Sequence, residues 1–174
     1  MKKFLAMLMA VMMVLSLVTV PVMAETPAAN DPRLSTAPKT GTAAAPADAA
    51  NLNEALNVAG GTLTFTSEGD HPWIVDGDAA KSTNVNVANS TSTVSTTVTA
   101  AAGDILQFDF MSFGEGAGDY VWDGLHLTVD GTEVMKWSRV ETWTTYAVEL
   151  TAGEHTVAWS YQKDGSVDRE GDYA

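Results

Sequence analysis

The stretch LHLTVDGTEVMKW, Leu125–Trp137, decides the fold. Leu125, Leu127 and Val129 alternate with His126 and Thr128, the period of an extended strand with one apolar face. Asp130-Gly131 follows at once and supplies the positive-φ residues of a two-residue hairpin turn. The chain then returns through Val134 toward Trp137.

The same period extends in both directions. Downstream, Tyr146, Val148 and Leu150 run out, Ala152-Gly153-Glu154 turn, and Val157, Trp159 and Tyr161 run back, which predicts a second antiparallel pair. Upstream, DILQFDF sets Leu106, Phe108 and Phe110 on one side, with Gln107 and Asp109 opposite. STVSTTVT spaces Val94 and Val98 for one face, and TLTFT alternates Leu63 and Phe65. NLNEALN suits either a helical turn or an irregular first strand. Many short strands with no long amphipathic helix predict an all-β fold, an antiparallel β-sandwich over residues 52–174. No internal repeat appears, so one domain is expected.

Residues 25–51 are rich in Ala, Pro and Thr, with Leu34 the one large apolar side chain. They read as a flexible linker. Residues 1–24 read as a signal peptide: Lys2 and Lys3, an uncharged apolar run from Phe4 to Val20, Pro21, then Val22-Met23-Ala24 for cleavage before Glu25. An uncleaved anchor is the alternative, but the run is slightly short of the ~20 residues of a membrane span. The chain contains no cysteine, which excludes lipid modification of a new N-terminus and disulfide stapling. Such a thiol-free exported chain suits a bacterium.

After Ala24 there remain 7 basic against 22 acidic residues, a net charge of −15. That charge repels phosphate backbones and anionic membranes, so nucleic-acid binding and membrane insertion after cleavage are not expected. It does leave carboxylates for hard cations. Asp70, Asp76 and Asp78 with Glu68 form one acidic run, and Asp164, Asp168, Glu170 and Asp172 form another. A structural calcium is therefore the cofactor to expect, with Asp70, Asp76, Asp78 and Asp172 as ligands; plain surface acidity is the alternative.

Catalytic patterns are weak. His71, His126 and His155 are far apart, have no zinc-type spacing, and read as solvated surface histidines. There is no nucleophile elbow. Asp109, Glu115, Asp119 and Asp123 could supply a glycosidase pair, but acids in a Gly-rich loop are more often turn residues. The five tryptophans suggest binding instead. Trp159 shares the Val157/Tyr161 face and reads as core. Tyr120 and Trp122, flanked by Asp119 and Asp123, form a candidate carbohydrate site, the rings stacking on a sugar face and the acids bonding its hydroxyls. Alternatively, Trp122 closes one end of the sandwich.

From Trp143 to Asp164 the pattern Trp-x-x-Tyr-x-x-x-Leu-x-x-Gly-x-His-x-x-x-Trp-x-Tyr-x-Lys-Asp is specific. With LNEALNVAGGTLTFTSEGDHPWIVD and STSTVSTTVTAAAGDILQFDF, it resembles bacterial surface-protein jelly-roll modules of the cleaved-adhesin, choice-of-anchor J and MAM-like group. The resemblance covers nearly all of residues 52–174. It implies a two-sheet jelly roll, non-catalytic, serving adhesion or binding of a glycan or a host or cell-surface protein, with calcium in some members. A carbohydrate-binding accessory module of a secreted hydrolase and a structural spacer are the alternatives. In that group the loop after KDGSV leads into a further apolar strand. Gly171 to Ala174 match its beginning, so the resemblance implies that the last strand, and downstream domains that would hold the protein at the cell surface, follow Ala174.

Overall fold

A computed structural model describes the backbone of residues 34–35 and residues 49–57, 61–117, 119–166 and 171–174. In chain order the elements are β1 (Leu34–Ser35), α1 (Leu52–Leu56), β2 (Phe65–Thr66), β3 (Ile74–Asp76), β4 (Ala79–Lys81), β5 (Thr91–Ala100), β6 (Ile105–Phe113), β7 (Gly116–Ala117), β8 (Tyr120–Val121), β9 (Gly124–Val129), β10 (Thr132–Trp137), β11 (Arg139–Glu149) and β12 (Gly153–Gln162). The chain is thus all-β apart from one helical turn. The stretch read as a signal peptide lies outside the described residues. So does most of the expected linker, although Leu34–Ser35 within it pair with Tyr146 and Thr145.

NLNEALN resolves to the helical turn. Asn51 caps it, its side-chain oxygen accepting from the Glu54 N–H at 3.1 Å while its amide donates to the Glu54 carboxylate.

The decisive hairpin forms as read. β9 and β10 pair from Thr132 opposite Val129 to Trp137 opposite Leu125, with a bulge between Glu133 and Met135. Asp130 and Gly131 turn at φ +52° and +76°, the left-handed conformation that Asp and Gly adopt at least cost.

The second expected hairpin is not one. β11 and β12 are consecutive but lie in different antiparallel sheets. One sheet has the order β1-β11-β6, and the other β10-β9-β12-β5-β2. β11 pairs along β6, and β12 runs between β5 and β9. The connection from Leu150 to Ala152 therefore crosses between sheets, pinned where the Leu150 N–H donates to the Asp104 carbonyl at 2.8 Å. An alternating strand fixes which side chains face inward; it does not fix which strand lies beside it.

Inward faces of both sheets share one core. Val94, Val98, Leu125, Leu127, Val157, Trp159 and Tyr161 come from the larger sheet, and Phe110 and Tyr146 from the smaller. The sheets meet edge-to-face where the Phe108 and Trp159 rings lie 5.3 Å apart, and Trp137 packs 4.3 Å from Phe110. Trp73 is buried too, its indole N–H donating to the Ser92 carbonyl at 2.9 Å.

Candidate functional site

Trp73, Trp137 and Trp159 thus belong to the core cluster and its margin. Tyr120 and Trp122 do not. They are 72% and 45% exposed, the most exposed aromatics among the described residues. Both stand on the small β7–β8 hairpin, where Gly116 pairs with Val121 and Ala117 with Tyr120. Trp122 follows β8 directly, and both rings are exposed, while the Val121 side chain between them lies against Gly124.

The hairpin has a firm base. The Glu115 N–H donates to the Asp123 carbonyl at 3.0 Å, and the N–H groups of Trp122 and Asp123 both donate to the Glu115 carbonyl at 2.9 Å. Gly114 allows this approach, because a Cβ there would lie 2.2 Å from the Asp123 carbonyl oxygen.

The four residues read as a sugar site therefore separate. Tyr120, Trp122 and Asp119 are at the surface; Asp123 is 1% exposed. The Asp123 Oδ1 accepts from the Asp164 N–H at 2.8 Å, which ties the Lys163–Ser166 turn to the hairpin base. Its Oδ2 has no hydrogen-bond partner among the described residues. Burial raises the Asp123 pKa above the usual carboxylate range. The Asp164 N–H and the Lys163 ammonium pull it back, and the Asp164 and Asp172 carboxylates push it further up. Asp123 is thus a structural pin, and its role as a sugar ligand is withdrawn. The alternation that places Leu125 and Leu127 inside, extended one step back, places Asp123 inside as well. Extended one step beyond Tyr161, the β12 alternation does the same for Lys163, which is 6% exposed.

The four acids expected to hold calcium are not brought together. Asp70 and Asp78 lie in exposed turns, Asp76 pairs with Lys81 at 3.7 Å, and Asp172 is buried within the electrostatic reach of Asp123. Among the described residues no three of His, Asp or Glu gather to hold a metal ion. Asp168 and Glu170 lie outside the described residues.

Two histidines expected in solvent are buried. His126 and His155 are each 8% exposed. The His126 Nδ1 lies 2.7 Å from the Glu133 carboxylate, which also meets Lys136 at 3.3 Å. Burial raises the Glu133 pKa, but His126 and Lys136 outweigh it and hold the carboxyl below its usual value. The His155 Nδ1 lies 2.7 Å from the Asp130 Oδ2, and its Nε2 lies 3.0 Å from the Thr151 carbonyl. His126 lies on the outward parity of β9 with β10 and β12 on either side, whereas His155 shares the inward parity of Val157, Trp159 and Tyr161 on β12.

No family model matches the sequence, and neither does any curated protein. Among solved structures, the chain is similar to the secreted serine protease VesC from Vibrio cholerae. The TM-score is 0.50 at 17% identity, over 63% of this chain and 22% of that one. The likeness is one of fold. The chain spans about a fifth of the length of VesC, so the protease activity named for VesC does not come with it. No described helix is long and apolar enough to cross a membrane.

Proposed function

We propose that this chain is a non-catalytic adhesion or ligand-binding module of an exported bacterial surface protein, built as a jelly-roll-type sandwich behind a cleaved signal peptide. The observation that carries the reading is the exposure of both Tyr120 and Trp122 on a hairpin whose base is closed by three backbone hydrogen bonds. A large aromatic left in water on a rigid mount offers apolar area at little entropic cost, which is what ligand and protein contacts use. The same pair suits the face of a sugar ring, so a glycan, free or on a cell-surface protein, is the partner proposed. The acidic chain restricts that partner to neutral or basic surfaces.

The test is binding of the purified protein to a glycan array and to immobilised cell-surface glycoproteins. Loss of signal in Trp122→Ala and Tyr120→Ala, with the melting temperature unchanged, supports the module reading. A cleanly folding protein that binds nothing is a spacer. Hydrolysis of a polysaccharide or peptide by the pure chain overturns the non-catalytic reading.

A further inference from the structure

At one end of the core the larger sheet turns polar inside. Gln162 closes the paired rows, facing Gly124 on one side and Thr91 on the other. The next row sets Lys163 between Asp123 and Ser90, and the Lys163 N–H donates to the Ser90 carbonyl at 2.9 Å. Lys163 shares the inward parity of Tyr161, and Asp123 that of Leu125. They are 6% and 1% exposed.

Asn84, 0% exposed, enters the same end from the segment after β4. Its Nδ2 donates to the Tyr161 carbonyl at 3.1 Å and to the Ser90 hydroxyl at 3.0 Å. Its side chain is thus fastened to the strand that carries Lys163 and to the residue opposite Lys163. A carbonyl only accepts, so the Tyr161 contact fixes which way the amide faces. That leaves the Asn84 Oδ1 without a hydrogen-bond partner among the described residues, as is the Asp123 Oδ2. Buried acceptors left empty are costly, and a catalytic role is one reason a fold keeps them.

An amine, a carboxamide and a carboxyl group, all buried, are the two reactants and the catalyst of an amide exchange. Burial is the largest influence on Asp123 and favours its protonated form; the Lys163 charge, which opposes it, acts on the same carboxyl. Passing the ammonium proton to the carboxylate leaves two neutral groups, the form that a water-poor interior favours.

We propose that Lys163 and Asn84 are joined by an intramolecular isopeptide bond, with Asp123 as the catalytic carboxyl group. The neutral Lys163 Nζ attacks the Asn84 Cγ as the Asp123 carboxyl donates its proton to Oδ1. Asp123 then takes a proton from Nζ and passes it to Nδ2. Oδ1 returns its proton to Asp123, the Cγ–Nδ2 bond breaks and ammonia leaves. One amide replaces another, so no oxidant, cofactor or second substrate is needed. The bond ties the segment after β4 to the end of β12 in a chain that has no cysteine. It closes a long loop, the case in which a cross-link constrains the unfolded chain most.

The test is the mass of the purified, denatured chain. It is expected to fall short of the sequence mass by one ammonia, and a protease digest should contain one branched peptide joining the Asn84 and Lys163 segments. Both signs should vanish in Asn84→Ala, Lys163→Arg and Asp123→Ala, and the variants that fold should melt below the wild type. The wild-type mass and digest decide even where a variant does not fold. A full mass, with a Lys163 amine that reacts once the chain is denatured, overturns the proposal and leaves Lys163 and Asp123 as an ion pair. A missing ammonia without the branched peptide, as a cyclised asparagine gives, overturns it too. A branched peptide that persists in Asp123→Ala overturns the role of Asp123. None of these outcomes bears on Tyr120 and Trp122.

Discussion

The His155 imidazole lies between two acceptors, 2.7 Å from the Asp130 carboxylate through Nδ1 and 3.0 Å from the Thr151 carbonyl through Nε2. A carbonyl can only accept, and so can an ionised carboxylate, so both contacts are satisfied together only when the ring carries two protons. Asp130 also takes the Thr156 N–H at 2.9 Å. The clasp joins the turn of the β9–β10 hairpin to the crossover between the sheets.

This clasp should make stability depend on pH. The Asp130 hydrogen bond, with help from the Thr151 carbonyl, raises the His155 pKa above its usual value. The His155 hydrogen bond, with the Thr156 N–H, lowers that of Asp130. The histidine contribution is full below the unfolded value of about 6.5 and is lost as pH rises through the raised folded value. The aspartate contribution is present above about 3.9 and is lost as pH falls through the depressed folded value. Thermal unfolding of wild type against His155→Gln should therefore show the largest gap at mildly acidic pH, narrowing above neutrality. A gap that does not vary with pH would remove the clasp as its source.

Asp123 should behave as a buried pin. Asp123→Ala removes the acceptor of the Asp164 N–H and one of the carboxylates near the 6%-exposed Lys163. A cost of about 2–4 kcal/mol is expected in denaturant unfolding. Asp123→Asn keeps the acceptor oxygen, and burial already favours the neutral form of Asp123, so it should cost clearly less. Equal losses in the two variants would mean that charge, and not the hydrogen bond, is what Asp123 supplies.

Much of this fold is local in the sequence. The Asp130-Gly131 turn is legible because few other residues adopt two successive positive φ angles. Leu106, Phe108 and Phe110 are legible because a strand alternates strictly. The separation of β11 from β12 was not legible, since it is a choice between distant partners and both choices bury the same side chains. Tyr120 and Trp122 were found as aromatics in a Gly-rich loop. Asp123 was misread because its type, an acid near glycines, outweighed its parity with Leu125. His126 and His155 were misread for different reasons. His126 has outward parity, yet β10 and β12 lie on either side of it, whereas His155 shares the inward parity of Val157, Trp159 and Tyr161, which its type, a histidine after a turn, outweighed.

Core and edge positions of similar chemistry should differ sharply. Leu127 is 0% exposed between the two sheets, whereas Ile105 is 57% exposed at the end of β6. Leu127→Ala should cost about 3–5 kcal/mol, lost burial plus an unfilled cavity. Ile105→Thr should stay within about 0.5 kcal/mol. Equilibrium unfolding in urea measures both, and a small loss at Leu127 would place the shared core elsewhere.

Gly114 should couple the core to the aromatic hairpin. A methyl group at this position would meet the Asp123 carbonyl oxygen at 2.2 Å and the Tyr161 hydroxyl at 2.9 Å. The first contact is backbone and cannot swing away, and the Tyr161 hydroxyl is itself engaged, donating to the Phe113 carbonyl. Gly114→Ala must therefore push the Asp123 segment outward and strain the bonds from Glu115, Trp122 and Asp123 that form the hairpin base. Destabilisation of about 1–3 kcal/mol is expected, as for other overpacked sites. Amide exchange at Trp122 and Asp123 should quicken beyond what that global loss explains, and any ligand bound by Tyr120 and Trp122 should be held less tightly. Gly131→Ala is the control, since its added methyl meets nothing within 4 Å and only the φ of +76° opposes it. It should lower the melting temperature while leaving the relative protection of the Trp122 and Asp123 amides intact. If the two alanines change exchange at Trp122 alike, the hairpin is not anchored through Gly114.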